Sequence, residues 1–322
     1  MKIVYSDRYA VDLGAHVFPT AKYAGVHAAL LARGLAAPAD VVAPPLASWD
    51  QLALAHTRDY LEKIRIDRLS PLERAQLEIP ATPPVVEWFR LMAGGTILAA
   101  REALSSDDHD RATHGDVTRT GAPPPPWAVG MHLGGGFHHA FGNHGEGFCM
   151  INDVAVAIRA LKQDRLVSRV AVVDCDVHQG NGTAMIFAAD RCVFTFSIHQ
   201  ERNYPGHKPQ SSLDIGLDDG AGDEEYLSAL ARALPRVFAS LPEIVFFVAG
   251  ADPYEADQLG GLSLTRDGLR RRDRMVFEAA RASGVPVVVT LAGGYAARLA
   301  DTVAIHVATV EEALAALSVS RV

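Results

Sequence analysis

Four short apolar runs constrain the fold of this chain more than any other feature. They cover residues 127–133, 170–173, 244–248 and 287–291. Short runs rich in β-branched residues are typical of parallel strands that are buried on both faces. Helix-like segments alternate with these runs and cover residues 152–163, 224–241, 265–282 and 310–317. The alternation predicts an α/β fold, with a central, mostly parallel sheet and helices on both of its faces.

The rest of the chain is consistent with one domain over residues 1–322. Three further helix-like segments precede the runs, at 21–33, 57–64 and 84–104. A polar, proline-rich stretch at 105–126, which contains His109 and His114, is predicted to be a surface loop rather than a domain linker. No internal repeat is evident.

Polar groups with acid–base or metal-binding chemistry follow each run. They are the pair His138 and His139, then Asp174, Asp176 and His178, then Asp252, and finally Tyr295. Ligands of open α/β sheets bind outside the carboxyl ends of the strands, so we expect the active site at this edge of the sheet. Residues two apart share one side of an extended chain, which would point Asp174, Asp176 and His178 the same way.

Asp176, His178 and Asp252 form a candidate metal site. Buried carboxylates are costly unless a positive charge meets them, and two of them balance a divalent cation. Three protein ligands with one open position are typical of catalytic zinc, which lowers the pKa of water and polarises a carbonyl. The competing interpretation is a helix N-cap beside a salt-bridged strand end. Gln179 and Asn181 stand where a two-metal site would need more carboxylates, so one metal ion is expected.

The remaining groups suit the hydrolysis of an amide or ester. Adjacent histidines in a glycine-rich loop, His138 and His139, favour general acid and base catalysis. Tyr295 follows two glycines and would donate a hydrogen bond to a developing oxyanion. Competing motifs are incomplete: the loop at 134–139 lacks the glycine spacing of a dinucleotide site, and 144–146 lacks the cysteines of a zinc deaminase.

Taken in order, these motifs resemble the histone deacetylase and acetylpolyamine amidohydrolase superfamily. The matching segments are 134–140, 145–149, 174–183, 250–252 and 293–295. The similarity extends from about residue 10 to about residue 310. The segment 16–23, together with Gln179 and Asn181, is most similar to the class IV-like branch of zinc deacylases and its bacterial relatives.

The resemblance implies an arginase/deacetylase-like α/β fold that carries two kinds of ion. One Zn²⁺ ion, with Fe²⁺ as the alternative, is expected on Asp176, His178 and Asp252. A structural K⁺ ion is expected at side-chain or backbone oxygens of Asp174, Asp176, His178, Ser197 and Ile198.

The resemblance also implies catalytic roles. His139 would be the general base and then the acid that protonates the leaving amine, with His138 as its electrostatic partner. Tyr295 would stabilise the oxyanion. Asp174 is expected to hydrogen-bond His138, and Asn181 to lie behind His139. Many family members have aspartate at this last position, and an amide carries no charge, so His139 is expected to be less basic here.

Four residues are expected to form the substrate tunnel. Phe148 and Tyr204 resemble its two aromatic walls, Gly147 would contact the acyl amide, and Leu259 would lie near the rim.

Composition and charge limit the classes of binding partner that are expected. A net charge of −8 provides no basic footprint for nucleic acid. No apolar run approaches the roughly 20 residues that cross a bilayer, so no membrane partner is expected. The three cysteines form no CxxC motif and suit a reducing compartment, and the first residues lack the apolar core of a signal peptide, which predicts a cytoplasmic protein. None of these features predicts the oligomeric state.

Two other functions stay open beside the favoured one, which is hydrolysis of Nε-acyl-lysine in a protein or peptide. The first is hydrolysis of an acylated small amine, as in acetylpolyamine or acetoin-pathway enzymes. Acidic residues at the rim of the tunnel would attract a cationic substrate of that kind, and Glu78 and Glu201 are the candidates. The second is a non-catalytic acyl-lysine binder, which predicts loss of the histidine pair or of Tyr295, and this chain retains all three. The acyl-chain length is not predicted.

Overall fold

The structure, a computed structural model, describes residues 1–105 and 127–318. The predicted surface loop at 105–126, with His109 and His114, lies beyond the described residues after its first position. None of the described helices is both long enough and apolar enough to cross a bilayer.

Eight parallel strands form one sheet within the described residues. In chain order they are β1 (Ile3–Val4), β2 (Val41–Val42), β3 (Val129–His132), β4 (Val170–Asp174), β5 (Val193–Gln200), β6 (Leu213–Leu217), β7 (Ile244–Val248) and β8 (Val287–Thr290). Their order across the sheet is β2-β1-β3-β8-β7-β4-β5-β6, and every neighbouring pair is parallel. The sheet confirms the predicted α/β class.

Two groups of helices cover the sheet. In chain order the described helices are α1 (Ala21–Ala32), α2 (Trp49–Leu52), α3 (Arg58–Arg65), α4 (Pro71–Leu77), α5 (Pro83–Leu104), α6 (Asp153–Gln163), α7 (Asn181–Phe187), α8 (Asp223–Phe238), α9 (Arg266–Ala282) and α10 (Leu299–Ser318). One group consists of α8, α9, α10 and α1, each packed on the next, and the other consists of α5, α6 and α7. Strands β4, β7 and β8 are buried along their whole length, which explains their continuous apolar sequences.

The carboxyl ends of four neighbouring strands lie in register with one another and with Ser197 of β5. His132 pairs with Thr290, Thr290 with Val248, Val248 with Asp174, and Asp174 with Ser197. We call these five residues the strand-end row. The loops that follow β3, β8, β7 and β4 therefore start from one level, whereas β5 continues to Gln200, and this brings residues that are distant in the sequence to one place.

The structure differs from the sequence-based predictions in four strands and in some helix boundaries. Strands β1, β2, β5 and β6 were not predicted, and the last helix, predicted at 310–317, spans Leu299–Ser318. Asp223 and Thr265 both match the residue preference of N-caps. Thr265 is the N-cap of α9, since its hydroxyl accepts a hydrogen bond from the Gly268 amide. Asp223 is not an N-cap: Gly222 occupies that position, and the Asp223 carboxylate accepts hydrogen bonds from the Thr265 amide and hydroxyl.

Candidate metal centre and active site

The loop after β4 carries three of the predicted site residues. The strand ends at Asp174, so the expectation that Asp174, Asp176 and His178 project from one extended strand is wrong. Side chains fold this loop instead: Asp174 Oδ1 accepts from the Asp176 amide at 3.1 Å, and Asp176 Oδ1 accepts from the His178 amide at 3.0 Å. These bonds turn the Asp176 and His178 side chains towards the loop that follows β7.

Asp176, His178 and Asp252 lie together. One ligand atom from each falls within 4.8 Å of the others, and all three residues are buried. His178 Nδ1 is 3.1 Å from Asp176 Oδ1 and 3.5 Å from Asp252 Oδ2. Asp252 Oδ1 accepts a hydrogen bond from the Val177 amide, whereas Oδ2 is buried without a hydrogen-bond partner among the described residues. A buried carboxylate oxygen without a donor is costly, so this oxygen fits a metal ligand.

Two glycines lie so close to the Asp176 and Asp252 carboxylates that no side chain would fit in their place. A Cβ atom on Gly293 would lie 1.9 Å from Asp252 Oδ2, and one on Gly250 would lie 2.6 Å from Asp176 Oδ2. The Gly293 amide also donates to Asp176 Oδ2 at 2.9 Å. The glycines after β7 and β8 are therefore required by close approach of the backbone to the acidic cluster.

The electrostatics of the cluster favour positive charge. Burial alone would lower the pKa of His178, but the carboxylates of Asp176 and Asp252 raise it to about 10. Burial, together with the charge of Asp176, raises the pKa of Asp252 to about 7. Two carboxylates and one imidazole in a negative, buried pocket are a suitable donor set for one divalent cation such as Zn²⁺.

A glycine turn brings the histidine pair to the cluster. Gly135 and Gly136 have positive φ values of 71° and 86°. Asp153, the first residue of α6, accepts hydrogen bonds from the Gly136 and Phe137 amides at 3.0 and 2.8 Å. His138 and His139 follow this turn, and their ring centroids are 4.1 Å apart. This turn thus holds two imidazoles against the candidate metal ligands.

The two histidines have opposite electrostatic surroundings. His138 Nδ1 lies 2.7 Å from Asp174 Oδ2. Burial disfavours its protonation, but the charges of Asp174 and Asp176 outweigh burial and raise the pKa of His138 to about 9. His139 Nδ1 lies 2.7 Å from Asn181 Oδ1. Burial, then the nearby His138 and His178 rings, hold the pKa of His139 well below its usual range. The His138 imidazole is thus suited to carry a positive charge, and the His139 imidazole is suited to stay neutral.

Tyr295 lies beside the cluster at the end of the loop after β8. Burial and then the charges of Asp176 and Asp252 raise its pKa well above the usual range, so its hydroxyl remains a donor. Its backbone amide donates to Asp257 Oδ2 at 2.6 Å, which holds this end of the loop. Lys22 holds the other end.

The buried lysine of α1 was not assigned a role from the sequence. Lys22 is fully buried, and its Nζ donates to the Ala292 carbonyl at 2.5 Å. The ammonium lies 5.7 Å from the centre of the Tyr295 ring. Ala292 has a φ of 52°, a left-handed conformation that favours glycine. The hydrogen bond from Lys22 stabilises this strained position next to the candidate oxyanion donor.

A cavity of about 180 Å³ leads to these groups. All four predicted tunnel residues line it: Gly147, Phe148, Tyr204 and Leu259. The Tyr204 ring packs edge-on against His139 with 4.8 Å between ring centroids. Gly147 has a φ of 52°, and a Cβ atom there would lie 2.7 Å from the Tyr204 ring. Phe18, which was not predicted, also lines the cavity.

The two acidic rim candidates differ. Glu78 is exposed and lines the cavity. Glu201 is exposed but is not among the lining residues; its carboxylate lies 3.9 Å from His199 Nε2.

The residues predicted to hold potassium lie at the carboxyl end of β4, in the loop after it and on the adjacent part of β5. Asp174 and Ser197 are partners in the strand-end row, and both are buried. Ile198 follows on β5 and is also buried. Asp176 and His178 follow Asp174, so the structure brings the five predicted residues to one region.

Glu146 is the main site residue that sequence analysis missed. Its carboxylate accepts hydrogen bonds from both Asn181 and Tyr204, at 2.5 and 2.9 Å. In the sequence it belongs to the deaminase-like segment 144–146 and to the family-like segment 145–149, but neither assigns it a role. No periodicity or spacing links it to Asn181, which lies 35 residues further along the chain.

Comparisons with known proteins agree with this geometry. The family profile described as "Histone deacetylase domain" matches residues 16–310. An uncharacterized protein of Picosynechococcus is 38% identical over 306 residues, which is 94% of this chain and 95% of that protein. Histone deacetylase 2 of Arabidopsis thaliana is 30% identical over 310 residues, 92% of this chain and 74% of that protein. A crystal structure described as an HDAC homolog complexed with SAHA superposes with a TM-score of 0.74 at 21% identity, over 98% of this chain and 88% of the other.

Proposed function

Because the chain belongs to the histone deacetylase family, we propose that it is a metal-dependent hydrolase of Nε-acyl-lysine amides in proteins or peptides. The observation that carries this proposal is the buried Asp176–His178–Asp252 cluster, whose Asp252 Oδ2 has no hydrogen-bond partner among the described residues. The cluster lies beside an oppositely tuned histidine pair and a tyrosine hydroxyl.

The metal ligands would be Asp176, His178 and Asp252. A bound Zn²⁺ ion, or Fe²⁺ as the alternative, polarises an acyl carbonyl and lowers the pKa of an attacking water. The charge balance of two carboxylates and one imidazole suits either ion.

His139 would serve as general base and then as general acid. Its Nδ1 is held by Asn181, which leaves Nε2 as the nitrogen that takes a proton from water. Its depressed pKa keeps the ring neutral before the reaction. His139 would then return the proton to the leaving lysine amine, as acid and base roles alternate within one turnover.

His138 and Tyr295 would stabilise charge. The raised pKa of His138, set by Asp174, keeps a positive imidazole next to the reacting atoms. The ring of Tyr295 lines the cavity, and its hydroxyl would donate to the oxyanion that develops on the acyl carbonyl oxygen. Lys22 and Asp257, at the two ends of the loop, orient this donor without touching the substrate.

The lining of the cavity supports an acyl-lysine substrate. Phe148 and Tyr204 both line it, and aromatic side chains suit contact with the aliphatic stem of a lysine. Gly147 belongs to the same lining, where a Cβ atom would lie 2.9 Å from the His139 ring, so a larger residue would crowd the general base.

A second candidate is hydrolysis of an acylated small amine, as in acetylpolyamine or acetoin-pathway chemistry. Exposed Glu78 on the cavity lining favours it, because a carboxylate there would attract a free ammonium group on the substrate. A non-catalytic acyl-lysine binder is the weaker alternative, since His138, His139 and Tyr295 are all present at the site.

We further propose a structural K⁺ ion and a single catalytic domain. The pairing of Asp174 with Ser197 supports the ion, with backbone oxygens of Asp176, His178 and Ile198 as its other ligands. The domain would comprise the whole chain. A cytoplasmic location and the absence of nucleic-acid and membrane partners stay predictions from the sequence.

Hydrolysis of a matched lysine-peptide panel tests the proposal. The panel carries acetyl, trifluoroacetyl, octanoyl and myristoyl groups, with N-acetylputrescine run beside it. We expect peptide turnover that a chelator abolishes and that collapses in Tyr295→Phe. Turnover of the polyamine alone would favour the second candidate, and no turnover by the zinc-loaded protein would contradict both enzyme functions for these substrates.

A further inference from the structure

The hydrogen-bond chain behind His139 does not end at Asn181. We propose that Glu146 is a positioning residue that orients the Asn181 amide, sets the tautomer of His139 through it, and ties Tyr204 to the same point. The inference rests on the proposed function, because His139 matters as a base only if the chain is a hydrolase.

The contacts form a continuous path. His139 Nδ1 lies 2.7 Å from Asn181 Oδ1, and Asn181 Nδ2 donates to Glu146 Oε1 at 2.5 Å. The Tyr204 hydroxyl donates to the same Oε1 at 2.9 Å, and His144 Nε2 lies 3.3 Å from Oε2. Asn181 is 2% exposed, and the side chain of Glu146 is 17% exposed. The path is therefore largely shielded from water.

An ionised carboxylate determines which way the amide faces. A primary amide has a donor end and an acceptor end, and a carboxylate only accepts hydrogen bonds. Asn181 must therefore turn its NH₂ group towards Glu146 and its carbonyl oxygen towards His139. The oxygen in turn requires a proton on His139 Nδ1, which leaves the lone pair on Nε2. With the amide reversed, its NH₂ group would meet Nδ1 and favour the other tautomer, which cannot accept a proton at Nε2.

The state of Glu146 supports this role. Burial disfavours its charge, but hydrogen bonds from His144, Asn181 and Tyr204 together outweigh burial and lower the pKa of Glu146. The carboxylate of Glu146 thus lies one amide away from the His139 ring.

The same oxygen also connects the acid–base group to the tunnel wall. Tyr204 packs edge-on against His139 and donates its hydroxyl proton to Glu146 Oε1. A change at Glu146 should consequently affect proton transfer through Asn181 and the shape of the tunnel through Tyr204. The two branches can be separated, because Tyr204→Phe removes only the second.

Glu146→Gln is the informative substitution. It keeps the size of the side chain, and the backbone bonds between residues 146 and 149 do not involve the carboxylate. Glutamine can present either an oxygen or an NH₂ group, so Asn181 loses its preferred orientation. We expect kcat on the best acyl-lysine peptide to fall about 10- to 100-fold, the range typical of partners that orient a site residue from behind, with a much smaller change in KM.

A double substitution provides the rescue. In Asn181→Asp with Glu146→Gln, aspartate offers only acceptors to His139, and the glutamine NH₂ group can donate to it. We expect this variant to recover most of the lost kcat. Glu243→Gln is the matched control, because the Glu243 carboxylate also accepts a hydrogen bond, in its case from the Ser168 backbone amide, but lies outside the site. A purely structural role for Glu146 predicts no rescue.

The second readout does not depend on turnover. Histidine-selective ¹⁵N labelling of the zinc-loaded protein reports which ring nitrogen of each imidazole carries the proton, and His139→Ala assigns the signal. We expect a single Nδ1–H form of His139 in the wild type and in Tyr204→Phe, and a mixture of tautomers in Glu146→Gln.

The outcomes separate the two proposals. Wild-type kcat and a wild-type ¹⁵N pattern in Glu146→Gln would overturn the role of Glu146 while the proposed function stands. A loss of kcat that the double variant does not restore would also overturn it. A wild type without turnover would contradict the proposed function, and the ¹⁵N pattern would still decide whether Glu146 sets the tautomer.

Discussion

Lys22→Met should abolish a gain in stability that the wild-type protein shows as the pH rises from about 8 to about 10.5. Burial lowers the pKa of Lys22 to about 8 from an ordinary value of 10.5, although the charges of Asp252, Asp176 and Asp257 oppose the shift. Between these values the unfolded chain keeps its proton while the folded protein has released it. Because the unfolded state binds more protons in this window, the free energy of unfolding rises with pH.

The magnitude follows from the size of the shift. Each pKa unit corresponds to about 1.4 kcal/mol, so the interval from 10.5 to about 8 corresponds to about 3 kcal/mol. As the pH falls through the window, this contribution is lost, and below pH 8 the folded protein bears the full cost of a buried ammonium. Methionine has a similar length and no charge. The free energy of unfolding of Lys22→Met should therefore lack this pH-dependent contribution.

Urea unfolding of the chelator-treated proteins measures the difference. We expect the free energy of unfolding of the wild type, relative to Lys22→Met, to rise by about 3 kcal/mol between pH 7.5 and pH 10.5. Lys2→Met is the control, since Lys2 also donates to one backbone carbonyl, that of Ala39, but at the surface. A difference between wild type and Lys22→Met that stays constant over this range would refute the reasoning, as would an equal change in the Lys2 control.

Four further predictions concern the site. Tyr295→Phe should lower kcat by about 100- to 1,000-fold with little change in KM, as expected for loss of one oxyanion donor, and steady-state kinetics measure both. Asp252→Asn should abolish stoichiometric metal binding, as measured by elemental analysis after dialysis; full metal content would contradict its assignment as a ligand. Gly293→Ala should also lose metal because its Cβ would lie 1.9 Å from Asp252 Oδ2, whereas Gly206→Ala, with nothing within 4 Å of its Cβ, should keep it. Since the pKa of His139 is lowered, activity should fall with decreasing pH only well below 6.5, and an acid limb of kcat/KM centred at or above that value would rule out His139 as the base.

The four central strands, β3, β8, β7 and β4, were predictable because they are buried along their whole length. The runs at 170–173 and 287–291 are continuous and apolar, and they became β4 and β8. Strands β1 and β2 have two residues each, and two residues are too few to show a hydrophobic periodicity. The residue type of Asp223 suits an N-cap, but its carboxylate binds the start of the neighbouring helix, a contact that no local pattern predicts.

The candidate site was predictable where its residues follow strands directly. Asp176, His178 and Asp252 come together as expected, although by folding of the loop after β4 rather than by alternation along a strand. Lys22 and Glu146 could not be predicted in the same way. The hydrogen bond of Lys22 joins residues 270 positions apart, and such a contact exists only once helices and loops have packed.

The strand-end row has a consequence for how this protein tolerates change. Each strand of the row carries its loop at a fixed height, and a strand rises about 3.3 Å per residue. One inserted residue within β4 or β7 would therefore displace Asp176 or Asp252 by more than the length of a metal–oxygen bond, about 2.0–2.2 Å for zinc. Insertions in the connections at the opposite edge of the sheet would leave the row unmoved. Length variation among natural homologues should accordingly concentrate at that opposite edge and be excluded from the five strands themselves.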